Sequence, residues 1–106
     1  MKLTFEGVWA DFRYRLKPRT TIRNWSILKG DMGGEFRIDH VDGGSITVIP
    51  EGRKPRSISK ADFERIYRVW PAYKAGSVSR TDLTPMSQNS TYILSLFHWL
   101  EASEPG

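Results

Sequence analysis

The chain has 106 residues, the size of one domain and too short for two, because single domains typically span about 50 to 250 residues. Apolar side chains make up 39% of it, and four Trp are among its aromatic residues, enough for a hydrophobic core, so a disordered chain is excluded. It has no Cys, which excludes disulfide scaffolds, thiolate zinc sites and cysteine nucleophiles; its net charge of +4 admits an anionic partner without naming one.

Residues 1 to 12 carry Lys2, Glu6 and Asp11 and lack the apolar run of a secretory signal, which points to a cytoplasmic chain. The longest nearly apolar stretch, Tyr92 to Leu100, is interrupted by Ser95 and His98. It reaches about half of the roughly 20 residues a membrane span needs, so no membrane partner is expected. Residues 103 to 106 read as a tail on a single domain whose core covers 4 to 102.

The first helix is expected from an N-cap at Thr4 to about Lys17, where Pro18 stops it. Phe5, Val8, Trp9, Phe12 and Leu16 form one apolar stripe, with Arg13, Tyr14 and Lys17 on the other side. From Thr20 to Ser59 the pattern becomes extended. A first strand is read over Thr20 to Ile27, followed by a turn at Gly30-Asp31-Met32-Gly33-Gly34. A hairpin then pairs Glu35 to Val41 with Ile46 to Pro50 through Asp42-Gly43-Gly44-Ser45, where the glycines are expected to take positive φ. Phe36 and Ile38 would share a face with Ile46 and Val48. A short fourth strand covers Arg56 to Ile58.

Ser59-Lys60-Ala61-Asp62 resembles a capping box and opens a helix whose stripe is Phe63, Ile66, Tyr67 and Trp70. Pro71 ends or kinks it. Ser79 caps a short turn through Leu83, and the last helix runs from Asn89 or Ser90 to about Ala102. Its apolar residues cover well over half of the circumference, which fits either the central helix of the domain or a subunit interface. The expected class is therefore α+β: a small antiparallel sheet of three to four strands, flanked by an N-terminal helix and two or three C-terminal helices.

The positive charge is unevenly placed. Residues 1 to 60 hold 12 Lys and Arg against 7 Asp and Glu, whereas residues 61 to 106 hold 4 against 5. Arg13, Arg15, Lys17, Arg19, Arg23 and Lys29 follow one another with no acid between them, and Arg53, Lys54, Arg56 and Lys60 form a second acid-free group. Arginine dominates both, and its planar fork suits phosphate. Trp25 and Tyr14 within the first group supply the aromatic surface on which single-stranded nucleic acid stacks. The candidate nucleic-acid-binding residues are thus Arg13, Arg15, Lys17, Arg19, Arg23, Trp25, Arg53, Lys54, Arg56 and Lys60.

Catalytic signals are weak. His40 and His98 lack the spacing of a metal site; His98 reads as a satisfied core histidine, and Asp39 is expected to point away from His40 along the strand. Asp42 with Glu51, Arg53 and Lys54 imitates a metal-dependent nuclease core only loosely. There is no G-x-S-x-G elbow. No metal, cofactor or enzymatic activity is expected.

Ile22-Arg23-Asn24-Trp25-Ser26, Gly33-Gly34-Glu35-Phe36, Ile58 to Glu64, Val69 to Gly76 and Asn89 to Leu96 together resemble a small bacterial domain. That domain occurs in stand-alone proteins and in those carried on mobile integron gene cassettes, and more loosely in restriction or defence loci. The likeness covers residues 20 to 100, and it implies no activity and no residue role. Its mobile-element context leans toward nucleic acid. The function expected is a non-enzymatic binding module for DNA or RNA. The alternative is a protein-interaction or homo-oligomeric module of a mobile-element protein that uses its apolar and aromatic helices, with self-association through the C-terminal helix.

Overall fold

A computed structural model describes residues 4–102; the expected tail at residues 103–106 lies outside them. Thr4 caps helix α1 (Phe5–Arg15), its hydroxyl accepting the Gly7 N–H at 3.2 Å. Phe5, Val8, Trp9 and Phe12 are buried on one face, while Arg13 and Tyr14 face solvent. The helix stops short of Lys17. Leu16 is already extended, and Lys17 and Thr20 close a turn through the Thr20 N–H to Lys17 carbonyl bond of 3.1 Å.

Four strands follow, β1 (Thr21–Ser26), β2 (Gly30–Val41), β3 (Ser45–Pro50) and β4 (Arg56–Ser59), paired antiparallel in the order β1-β2-β3-β4. Alternation places Ile22, Phe36, Ile38, Ile46, Val48 and Ile58 in the core. Thr21, Arg23, Arg37 and Ser57 stay exposed.

The second strand begins at Gly30, not at Glu35, so the glycine segment is part of the sheet. Arg23 lies opposite Glu35 and Trp25 opposite Asp31, leaving Asn24 against the three residues Met32, Gly33 and Gly34. Gly33 and Gly34, at φ of 73° and 74°, take up the excess as a bulge. The Asp42 turn is built differently from expectation as well: neither Gly43 nor Gly44 has a positive φ. The Asp42 carboxylate instead accepts the N–H groups of Gly44 and Ser45, each at 2.8 Å. These two bonds also hold that carboxyl below its ordinary range.

Ser59 caps α2 (Lys60–Tyr67), accepting the Asp62 N–H at 3.2 Å. The reciprocal half of the box is missing, because the Asp62 carboxylate accepts from Arg65 and from the Ser87 hydroxyl. The helix ends before Trp70, and Pro71 sits in the first turn of a separate helix α3 (Trp70–Lys74), where its missing N–H is harmless. Ser79 and Asp82 form a complete capping box for α4 (Arg80–Leu83).

Helix α5 (Ser90–Ala102) packs against β1 and α2 and buries Ile93, Leu94, Leu96, Phe97 and Leu100. The Phe97 ring meets Phe12, Phe63, Tyr67 and Trp70, joining α1, α2 and α3. The all-round apolar pattern therefore belongs to the central helix of the domain itself. Among the described residues no helix is long and apolar enough to cross a membrane.

Candidate nucleic-acid interface

The end of α1 and the middle of the sheet meet at one corner. The turn from Lys17 to Thr20 carries the chain back so that the Arg19 N–H donates to the Ile38 carbonyl at 2.8 Å and the Ile38 N–H donates to Thr20 at 2.9 Å. Thr21 then pairs with Arg37. Lys17, Arg19 and Arg37 are consequently held together, all exposed. Tyr14, 80% exposed, lies beside them with the Lys17 ammonium 5.7 Å from its ring.

Arg37 also reaches the second basic group. It lines a shallow cleft of about 330 Å³ with Arg53, formed where Glu35 and Phe36 of β2 face Ile49 and Pro50 of β3 and the Glu51-Gly52-Arg53 turn closes one end. Glu35 and Glu51 share this cleft, so its cations are partly balanced. Arg37 escaped the sequence reading because Glu35 and Asp39 flank it; on a strand its neighbours in space come from β1 and β3 instead.

Several sequence candidates are engaged within the molecule. Arg23 pairs with Asp31 across the β1–β2 hairpin, so the first group does not stay acid-free once folded. Arg15 stacks over Trp99 at 5.4 Å, and Arg56 lies 6.0 Å from the Tyr92 ring. Lys60 bonds Glu6 at 2.9 Å and lies over Trp9. Trp25 is half-buried, stacked on His98 with centroids 4.1 Å apart and edge-on to Trp70 and Tyr73; it is not a free ring. Arg13, Lys17, Arg19, Arg53 and Lys54 remain exposed, and none forms an ion pair among the described residues.

No family model, curated protein or solved structure matches the chain.

The groups weighed for catalysis are dispersed. His98 is half-buried, not fully enclosed, and burial against Trp25 pushes its pKa down while Glu101 opposes the shift. His40 does contact Asp39, Nδ1 to carboxylate 2.9 Å, contrary to the alternation of a regular strand. The register shifts between Ile38 and His40, and this bulge turns the two neighbours to the same side. Asp42 and Glu51 sit at opposite ends of β3, roughly 16 Å apart at about 3.3 Å per residue, too far to share a metal. Among the described residues no group of three or more His, Asp or Glu is placed to hold a metal ion.

Proposed function

We propose that this protein is a non-enzymatic module that binds nucleic acid through its phosphate backbone, along a line from Lys17 and Arg19 across Arg37 to Arg53 and Lys54. The observation that carries the reading is Arg37: it pairs with Thr21, two residues beyond Arg19, and lines one cleft with Arg53, so it lies between two groups that are remote in sequence. Arginine forks along one line suit successive phosphates.

Two further features support it. Arg19 holds a φ of 74°, a conformation that costs a residue with a Cβ about 1 to 2 kcal/mol. Glycine would fit there with less strain, so the position favours a cation over a relaxed backbone. Tyr14 is an exposed ring beside Lys17, the pairing of aromatic and cation on which an unpaired base stacks. Glu35 and Glu51 oppose the charge and should limit affinity. Helix α5 places Ile93, Leu94, Leu96, Phe97 and Leu100 in the core of the domain, and only Tyr92 and Trp99 among its large apolar side chains stay partly open to a second copy.

The test is anisotropy of labelled single-stranded and duplex oligonucleotides between about 50 and 200 mM salt. One phosphate for each of these five cations predicts a log–log slope of about −3.5 to −4.5, at about 0.7 per phosphate on single strands and 0.9 on duplex DNA. Glu35→Gln with Glu51→Gln should tighten binding. Absence of binding at the lowest salt refutes the proposal.

A further inference from the structure

The tip of the β1–β2 hairpin does not look like a solvent turn. Its residues are Ile27, Leu28 and Lys29, where turns ordinarily take Gly, Asn, Asp, Ser or Pro. Leu28 is 92% exposed and Ile27 39%, so two adjacent aliphatic side chains stand in water and forgo their hydrophobic stabilisation. The tip is also fixed. The Ile27 N–H donates to the hydroxyl of buried Tyr73 at 3.0 Å, and the Lys29 N–H donates to Ser26 Oγ at 3.1 Å. A leucine held out on a fastened turn is a preorganised contact.

Beside it lies a groove of about 200 Å³ lined by Ile27, Leu28, Tyr73 and Val78 and by the cations Lys29 and Arg80. These two cations are not neutralised by neighbouring acids. Asp31 is paired with Arg23, Asp82 accepts from the Ser79 N–H and hydroxyl, and Glu101 takes Lys74. Among the described residues the only hydrogen-bond partner of the Arg80 guanidinium is Met32 Sδ at 3.8 Å.

Charge then selects the occupant. A second copy docked about a two-fold axis through the groove would set Lys29 and Arg80 of one copy against Lys29 or Arg80 of the other, a like-charge encounter in either register. A phosphate backbone would satisfy the cations and leave the aliphatic lining wet. We infer that this groove binds an acidic peptide segment of another protein: one apolar side chain enters beside Leu28, and Asp or Glu residues on either side meet Lys29 and Arg80. The groove lies at the far end of β1 from the Lys17–Arg19 corner, about one strand length or roughly 17 Å away, so it does not depend on the nucleic-acid reading. The contact is small, which places it among weak, transient interactions.

The test is selection of a displayed random-peptide library on the folded protein, followed by anisotropy titration of the strongest peptide. Enriched sequences should carry an aliphatic or aromatic residue flanked by Asp or Glu. Leu28→Ala and Arg80→Glu, both at exposed positions and checked for retained fold by circular dichroism, should each weaken binding about tenfold or more. Enrichment without acidic flanks, peptides indifferent to both variants, or no enrichment at all would overturn the inference. So would sedimentation showing a dimer that Leu28→Ala dissolves, which would give the groove to a second copy.

Discussion

Replacing Arg19 by glycine should stabilise the protein and weaken its binding in the same variant. The φ of 74° at Arg19 costs a side chain with a Cβ about 1 to 2 kcal/mol, and glycine removes that cost. The added freedom of glycine in the unfolded chain takes back about 0.5 to 1 kcal/mol. No packing is lost, since the side chain is exposed, and the N–H bond to the Ile38 carbonyl is kept. The net gain lies between about 0 and 1.5 kcal/mol, and its midpoint of about 0.75 kcal/mol raises Tm by about 3 to 6 °C in a domain of this size. Binding should move the other way, with the salt slope shallower by about 0.7 to 0.9, the share of one phosphate. Thermal denaturation and anisotropy on the same preparation measure both. A Tm that falls, or a slope that does not change, refutes the assignment of Arg19 as a strained binding residue.

Gly34→Ala should destabilise by about 1 to 2 kcal/mol, because φ is +74° and the new Cβ would lie 3.3 Å from Asn24 Nδ2. Gly44→Ala, which meets nothing closer than Asp42 Oδ1 at 3.9 Å, should change stability by less than about 0.5 kcal/mol; urea unfolding separates the two. Ser95 is buried in α5, where its hydroxyl accepts the Trp25 N–H at 3.0 Å and donates to the Thr91 carbonyl at 2.7 Å. Ser95→Ala should cost about 1 to 3 kcal/mol through the stranded N–H, and hydrogen exchange at Trp25 should speed up. The pKa of His98 is lowered from its ordinary 6.5, so the unfolded chain takes up the proton first. Stability should therefore fall as pH drops below about 6.5 toward the lower folded pKa. The difference in urea midpoint between pH 5 and pH 7.5 should shrink in His98→Gln.

The helices were largely legible because their signals are local. Thr4, Ser59 and Ser79 cap where the residue type says they should, and α5 begins at Ser90 as its apolar pattern indicates. What escaped reading depends on a partner strand. A bulge is a mismatch between two chains, so neither the Gly33–Gly34 excess against Asn24 nor the turn that brings Asp39 beside His40 is visible in one strand alone. The candidate site failed and succeeded for the same reason. Counting acids along the chain hid Asp31, which the hairpin returns to Arg23, and dismissed Arg37, which the sheet sets between Arg19 and Arg53. Charge separation in sequence and in space diverge most where strands are paired.

Arg37 is the link on which the functional account depends, and its charge reversal is the most direct test. Oligonucleotide affinity at low salt should be compared in Arg37→Glu and in Arg68→Glu, an exposed charge reversal at the C-cap of α2, outside the line. The account predicts that Arg37→Glu lowers affinity at least about tenfold and flattens the salt slope by one phosphate or more, while Arg68→Glu has a small, general effect. Equal losses in the two variants would mean that net charge alone governs binding and would contradict the account.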